Sequence, residues 1–184
     1  MYKLLGKKTV YQTFPFDVEE LDLELNGTKL EKPYHRITCG DWVNILPITH
    51  DGQAILIRQP RAGSLTTVLE TPGGIMEPDE KDPTLTAARE LEEETGFTTQ
   101  RIVPLASINP NPAIQNNVCH FFLGLSCHLR EDRQHFPDQD EFIKIAVTPV
   151  HELEHLVRTG QVNHSLSALT IMLAQKYLQK WLKE

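Results

Sequence analysis

At 184 residues the chain suits one domain with a sizeable core, and 40% hydrophobic with 23% charged residues is ordinary for a globular protein. A formal net charge of −7 argues against sequence-independent nucleic-acid binding, which relies on clustered Lys and Arg. Cys39, Cys119 and Cys127 show no C-x-x-C spacing, so reduced thiols are expected; Met1–Val10 carries Lys3, Lys7 and Lys8 without a following apolar core, no apolar run is long enough to span a bilayer, and a cytoplasmic protein is expected.

Strands are predicted over Val10–Phe16, Leu21–Leu25 and Thr28–Leu30, the last two joined by the hairpin signal Asn26-Gly27, and over Tyr34–Thr38. Asp41–Thr49 and Gln53–Arg58 pair around His50-Asp51-Gly52, and Thr67–Glu70 leads into a Pro72-Gly73-Gly74 turn. A helix follows. Asp82 suits its N-cap, Pro83 its first turn and Gly96 its end, with Leu85, Ala88 and Leu91 at helical spacing. Further strands are expected at Arg101–Ser107, Val118–Leu129 and Phe142–Val147, with Arg130–Glu141 a loop. A short helix opens at Thr148-Pro149 and ends near Gly160. A last helix opens at Asn163 or Ser165 and carries an apolar stripe of Leu166, Leu169, Leu173, Tyr177 and Trp181, read as core packing. The sum is a mixed α/β domain.

On the central helix Glu90, Glu93 and Glu94 stand at i, i+3 and i+4, so their carboxylates share one face. Like charges at that spacing cost roughly 0.2–0.5 kcal/mol per pair. A divalent cation held by hard oxygen ligands would offset the repulsion. Arg89, four residues before Glu93, can hold a carboxylate in a fixed orientation. A solvated acidic helix accounts for the acids alone, but not for the upstream Pro-Gly-Gly, the flanking Arg and the closing Gly.

The stretch Gly73–Phe97 resembles the Nudix box, G-x5-E-x7-R-E-U-x-E-E-x-G-U, with Gly74, Glu80, Arg89, Glu90, Leu91, Glu93, Glu94, Gly96 and Phe97 at its fixed places. Eight residues instead of seven separate Glu80 from Arg89, an insertion that falls before the helix. The resemblance implies an α/β/α sandwich with a mixed sheet over 41–184 and an N-terminal antiparallel strand extension over 1–40 that serves dimerisation and substrate enclosure. It also implies metal-dependent hydrolysis of a nucleoside diphosphate linked to another moiety, with magnesium, or manganese, as cofactor. By the same resemblance Glu90, Glu93, Glu94 and the Gly73 carbonyl are expected to hold metal, with Arg89 orienting the carboxylates and Glu80 in a supporting place. The family also takes an acid from a late loop as ligand or general base; Glu141 is the first choice, Asp140 the second. Gln139 stands where the ADP-ribose branch tends to carry the Glu that acts as general base, which leaves Glu93 or a neighbouring acid for that role.

Pro112 lies fifteen residues beyond Phe97, similar to the marker proline of ADP-ribose and ADP-sugar pyrophosphatases. Arg58-Gln-Pro-Arg61 and Glu70-Thr-Pro-Gly-Gly resemble two further segments of that branch, so Arg58, Arg61, Glu70 and Pro112 are expected at the substrate. A homodimer acting on ADP-ribose to give AMP and ribose 5-phosphate is the expectation. Tyr11, Phe14 and Trp42 are candidate stacking groups. GDP-mannose, a dinucleoside polyphosphate or a capped RNA end stays open as substrate, as does a binding module without catalysis, although such modules usually lose box acids. His151-Glu-Leu-Glu-His155 also satisfies the zinc-peptidase pattern H-E-x-x-H. Pro149 and Gly160 bracket a short helix there, Gln161 takes the place of a third His, and His164, the remaining ligand candidate, lies beyond the Gly160 break.

Overall fold

In the computed structural model, residues 1–137 and 141–181 are described; Asp138, Gln139 and Asp140 lie outside the described residues. The strands are β1 Tyr2–Gln12, β2 Asp17–Leu25, β3 Thr28–Lys29, β4 Tyr34–Thr38, β5 Trp42–Thr49, β6 Gln53–Arg61, β7 Thr66–Glu70 and β8 Gly73–Ile75. Helix α1 spans Pro83–Thr95, and β9 Phe97–Thr98, β10 Arg101–Ile108, β11 Cys119–Leu129 and β12 Lys144–Pro149 follow. A 3₁₀ turn at Val150–Glu152 leads into α2 Leu153–Arg158, and α3 runs Ser165–Trp181. These elements form two units, Met1–Asp41 with Ile108–Cys119, and Trp42–Ser107 with His120–Glu184.

In the first unit β2 pairs antiparallel with β1, β3 and β4. β1 overlaps the predicted Val10–Phe16 only at Val10–Gln12: it extends back to Tyr2, where most side chains are exposed and apolar alternation is weak, while Thr13–Phe16 lie outside the strands, Pro15 having no N–H to donate. Glu19, buried on β2, accepts from Lys7 Nζ (2.7 Å) and Arg36 Nε (2.8 Å), and so ties three strands together. Pro112 occupies the second place of the turn Asn111–Ile114, closed by Ile114 N–H donating to the Asn111 carbonyl (3.1 Å). A fixed φ near −65° suits that place.

The second unit carries a mixed sheet of order β10-β11-β5-β6-β12, with β7 on β6, β8 on β5 and β9 on β11. Strand β5 alternates strictly. Val43 and Ile45 pack with Ala87 and Leu91 of α1, whereas Leu46 and Ile48 pack with Leu153 of α2 and Ile171, Ala174 and Leu178 of α3. Helices thus cover both faces of the sheet, as an α/β/α sandwich requires. Each fully buried Leu or Ile contributes roughly 1.5–3 kcal/mol.

Three expectations need correction. Gly73-Gly74 is not a free turn but begins β8, where Gly73 pairs with Asn44 and Gly74 with Val43. β12 starts at Lys144, later than the predicted Phe142, and continues to Pro149. On α3 the buried face is Ser167, Thr170, Ile171, Ala174 and Leu178, while Tyr177 of the expected stripe is exposed. The reason is chemical: Ser167 and Thr170 are buried because they satisfy polar groups on the sheet, which a hydrophobic pattern does not register.

Candidate active site

Helix α1 starts where its caps dictate. Asp82 accepts from Thr84 N–H (2.9 Å), Pro83 follows, and Gly96 ends the helix in the left-handed region at φ 73°. Ala87 and Leu91 turn into the core, which leaves Glu90, Glu93 and Glu94 toward β8 and Arg89. Arg89 is the clamp. Its Nη1 donates to Glu90 Oε1 (3.0 Å) and Glu93 Oε2 (2.7 Å). Its Nε and Nη2 donate to the two oxygens of Glu80 (2.9 and 3.1 Å). The inserted residue before the helix therefore does not break the Glu80–Arg89 pair, and this bidentate partner holds the Glu80 carboxyl down at about 2.

Two glycines are required by close approach. A Cβ on Gly74 would strike the Glu90 carboxylate, and one on Gly73 would strike the Val43 carbonyl and Asn44 Cα. Gly73 N–H donates to Glu94 Oε2 (2.8 Å). Burial pushes the Glu90 carboxyl up to about 7, against the pull of Arg89 and with the help of Glu93 and Glu141. Burial, then the Glu90 charge, lifts Glu94 well above the carboxylate range, and burial raises Glu93 too. The charge of Glu141 acts, as the smallest of several causes, on Glu90, Glu93, Glu94 and Arg61. Among the described residues no three His, Cys, Asp or Glu side chains already converge as ion ligands. The donor chemistry nonetheless fits a hard divalent cation: these are oxygen donors, buried together, whose ionised forms oppose one another.

Beside β8 lies a cavity of about 530 Å³, lined in part by Trp42, Asn44, Arg61, Glu70, Gly73, Gly74 and His164. Glu70 is 1% exposed and accepts from Arg61 Nε (2.9 Å) and Nη2 (2.8 Å). The His164 ring, at the entry to α3, places Nδ1 3.1 Å from Glu70 Oε2 and 2.9 Å from Ser167 Oγ. Ser167 Oγ also accepts from Thr71 N–H (3.0 Å), and Asn44 Oδ1 accepts from Thr71 Oγ1 and Thr170 Oγ1. Arg58 is exposed on β6 and does not line the cavity. Pro112 lines a separate hollow of the first unit with Tyr2, Tyr34 and Arg36. Of the stacking candidates Trp42 lines the cavity, whereas Tyr11 and Phe14 are exposed in the first unit.

A further acid goes inward. Glu92 is buried and accepts from Arg130 Nη1 (2.8 Å) and from the backbone N–H of His135 (3.2 Å) and Gln134. Burial raises its pKa, but those backbone donors and Arg130 outweigh it and leave the carboxyl below its ordinary value. Arg133 Nη2 donates to the Glu93 carbonyl and Arg130 N–H to that of Gly96 (2.9 Å). The segment Arg130–His135 is thus moored to the C-terminal turn of α1. Glu92→Gln loses the charge and should lower kcat about tenfold, by loosening that segment, as ~1.5 kcal/mol, the low end for a hydrogen bond to a charged group, implies. Steady-state kinetics with unchanged circular dichroism would check it; an unaltered kcat would remove Glu92 from the site's support.

Sequence reasoning missed Glu92, hidden in a charge run, and saw His164 only as a zinc candidate. His151 and His155 are both exposed and fall in different segments, the 3₁₀ turn and α2.

Residues 41–167 match the NUDIX domain family. The chain is 28% identical over 177 residues to the ADP-ribose pyrophosphatase of Bacillus subtilis (strain 168), covering 96% of this chain and 92% of that one. It is 28% identical over 189 residues to the methanol dehydrogenase activator of Bacillus methanolicus, covering 100% and 99%. The crystal structure of an ADP compounds hydrolase superposes with a TM-score of 0.83 over 97% of this chain and 95% of that one, at 23% identity, so the likeness is one of fold. With the box acids in place on α1 and that match spanning well over half of its length, the chain belongs to the NUDIX domain family and is a Nudix hydrolase.

Proposed function

We propose that the protein hydrolyses the pyrophosphate bond of a nucleoside diphosphate sugar, ADP-ribose first, giving AMP and ribose 5-phosphate. The observation that carries this reading is the adjacency of two features: the Arg89-clamped carboxylates Glu90, Glu93 and Glu94, and the cavity walled by Arg61, Gly73 and Gly74. Its likeness to an ADP-ribose pyrophosphatase over nearly the whole chain supports the substrate class.

Magnesium, or manganese, when bound would neutralise diphosphate charge and lower the pKa of an attacking water. Glu90, Glu93, Glu94, the Gly73 carbonyl and Glu141 would hold it. Glu93 or Glu141 would take the proton from water; Gln139 and Asp140 of the same loop lie outside the described residues. Arg61 has Nε and Nη2 engaged by Glu70 and, among the described residues, no hydrogen bond from Nη1, which would donate to a phosphate oxygen. Glu70, with both oxygens on Arg61, acts by positioning that guanidinium. Arg58 and Pro112, expected at the substrate, do not line this cavity. The exposed apolar side chains of β1, among them Tyr2, Leu4 and Tyr11, favour a homodimer through the N-terminal extension.

The test is phosphate release, after phosphatase treatment, from ADP-ribose, other sugar nucleotides, GDP-mannose, diadenosine polyphosphates and NADH, each with magnesium, manganese or EDTA. Metal-dependent cleavage led by ADP-ribose is expected. Preference for another member would replace the substrate, and nucleotide binding without cleavage would make the chain a binding module.

A further inference from the structure

The side chain that the box and the branch segments leave unassigned is His164. It lines the cavity, its side chain is 31% exposed, and both of its polar partners, Glu70 and Ser167, lie on Nδ1. Among the described residues Nε2 has no hydrogen-bond partner. The Glu70 carboxylate 3.1 Å away favours the proton on Nδ1. Burial, which outweighs the Glu70 charge and is joined by Arg61, lowers the ring's pKa. A neutral ring protonated at Nδ1 presents Nε2 as a lone-pair acceptor, and such an acceptor recognises a hydroxyl or amine donor on a ligand. It does so on a rigid mount. Glu70 is nearly fully buried and locked by Arg61, and Ser167 is buried and held by Thr71 N–H. The same Glu70 therefore orients a cation for phosphate and an acceptor for a neutral hydroxyl.

We infer that His164 is a specificity-determining residue whose Nε2 accepts a hydrogen bond from a hydroxyl of a sugar attached to the diphosphate, while Arg61 takes the phosphate beside it. This rests on the sugar-nucleotide reading above. The hydroxyl belongs either to the distal sugar or to the nucleoside ribose, and the two sources separate by experiment.

His164→Asn keeps an N–H donor at the place of Nδ1 and deletes the acceptor at Nε2. Hydrolysis kinetics in magnesium, and calorimetric affinity in calcium, would be compared for wild type and variant. The ligands are ADP-ribose, an ADP methyl ester lacking the distal sugar, and a 2′,3′-dideoxyadenosine analogue of ADP-ribose. On ADP-ribose the variant should show KM and Kd raised roughly tenfold with kcat little changed, as expected for one lost neutral hydrogen bond. Removing the recognised hydroxyl from the ligand should cost wild type a similar factor and the variant nearly nothing, because the two losses report one contact. Non-additivity with the methyl ester assigns the distal sugar, and with the dideoxy analogue the nucleoside ribose. Equal penalties for the variant on all three ligands, or none on ADP-ribose, would overturn the inference. Should the variant fail to fold, the wild-type series decides alone: no penalty for either analogue overturns it. A wild type that neither binds nor cleaves ADP-ribose overturns the substrate reading and this one together, whereas a wild type that cleaves it while His164→Asn does so equally well overturns this one only.

Discussion

Glu94→Gln should lower kcat/KM by about a hundred- to a thousand-fold in saturating magnesium while leaving the protein folded. The size follows from removing one fixed charge from a buried electrostatic site. The retention of fold follows from local geometry. Glu94 Oε2 accepts from Gly73 N–H at 2.8 Å, and the amide oxygen of Gln can accept the same bond. What disappears is a carboxyl whose ionised form burial and the neighbouring Glu90 disfavour in the absence of cation, so the metal-free variant should be at least as stable as wild type. Loss of activity with gain of metal-free stability is the signature of a ligand; loss of both would indicate a structural acid. Kinetics over a magnesium titration, calorimetric magnesium binding and a melting curve in EDTA provide the three readouts. Near-normal turnover at saturating magnesium would remove Glu94 from the proposed ligand set.

Helix α1 was legible almost to the residue because its limits are written in chemistry that acts locally: the Asp82 cap, Pro83 and Gly96 need no tertiary context. The same holds for β4, and nearly so for the β5–β6 hairpin, whose runs of Val, Ile and Leu are covered on both faces. Legibility failed where polar residues do the packing. Ser167 and Thr170 face inward because Thr71 N–H and Asn44 Oδ1 need partners, and nothing in the sequence near α3 announces those groups. The Gly-Gly segment was misread for a related reason. Glycine is depleted in strands, yet β8 must pass so close to Val43, Asn44 and the Glu90 carboxylate that any side chain is excluded. In the candidate site, the acids on one helical turn were readable from spacing alone, whereas the pairing of Glu70 with His164 joins segments far apart in the chain and becomes visible only in the folded state.

In metal-free solution the stability of the protein should fall as pH rises from about 4.5 to about 7, and Glu90→Gln should abolish a large part of that fall. Glu90 titrates near 4.5 in the unfolded chain and at about 7 in the folded one. Between these values the folded state holds the proton and the unfolded state does not, so raising the pH pulls the equilibrium toward unfolding. Below 4.5 both states are protonated and the difference vanishes; above 7 both are ionised and the whole cost has accrued. For Glu90 alone that cost is roughly 3 kcal/mol. Glu93 and Glu94 shift in the same direction, His164, whose folded-state pKa lies below its ordinary value, offsets part of the fall, and Glu80, held at about 2, gains its stabilisation below 4.5 and contributes no slope in this window. In EDTA, Glu90→Gln and wild type should therefore melt alike at pH 4.5 and diverge to about 6–12 °C at pH 8, the variant being higher. Magnesium should then reverse the order at pH 8, since a cation that binds only the folded state stabilises it by RT ln(1 + [L]/Kd), and wild type holds it more tightly. Parallel melting curves across the range would show that Glu90 is ionised at no cost, and the carboxylate cluster would lose its reason to recruit a cation.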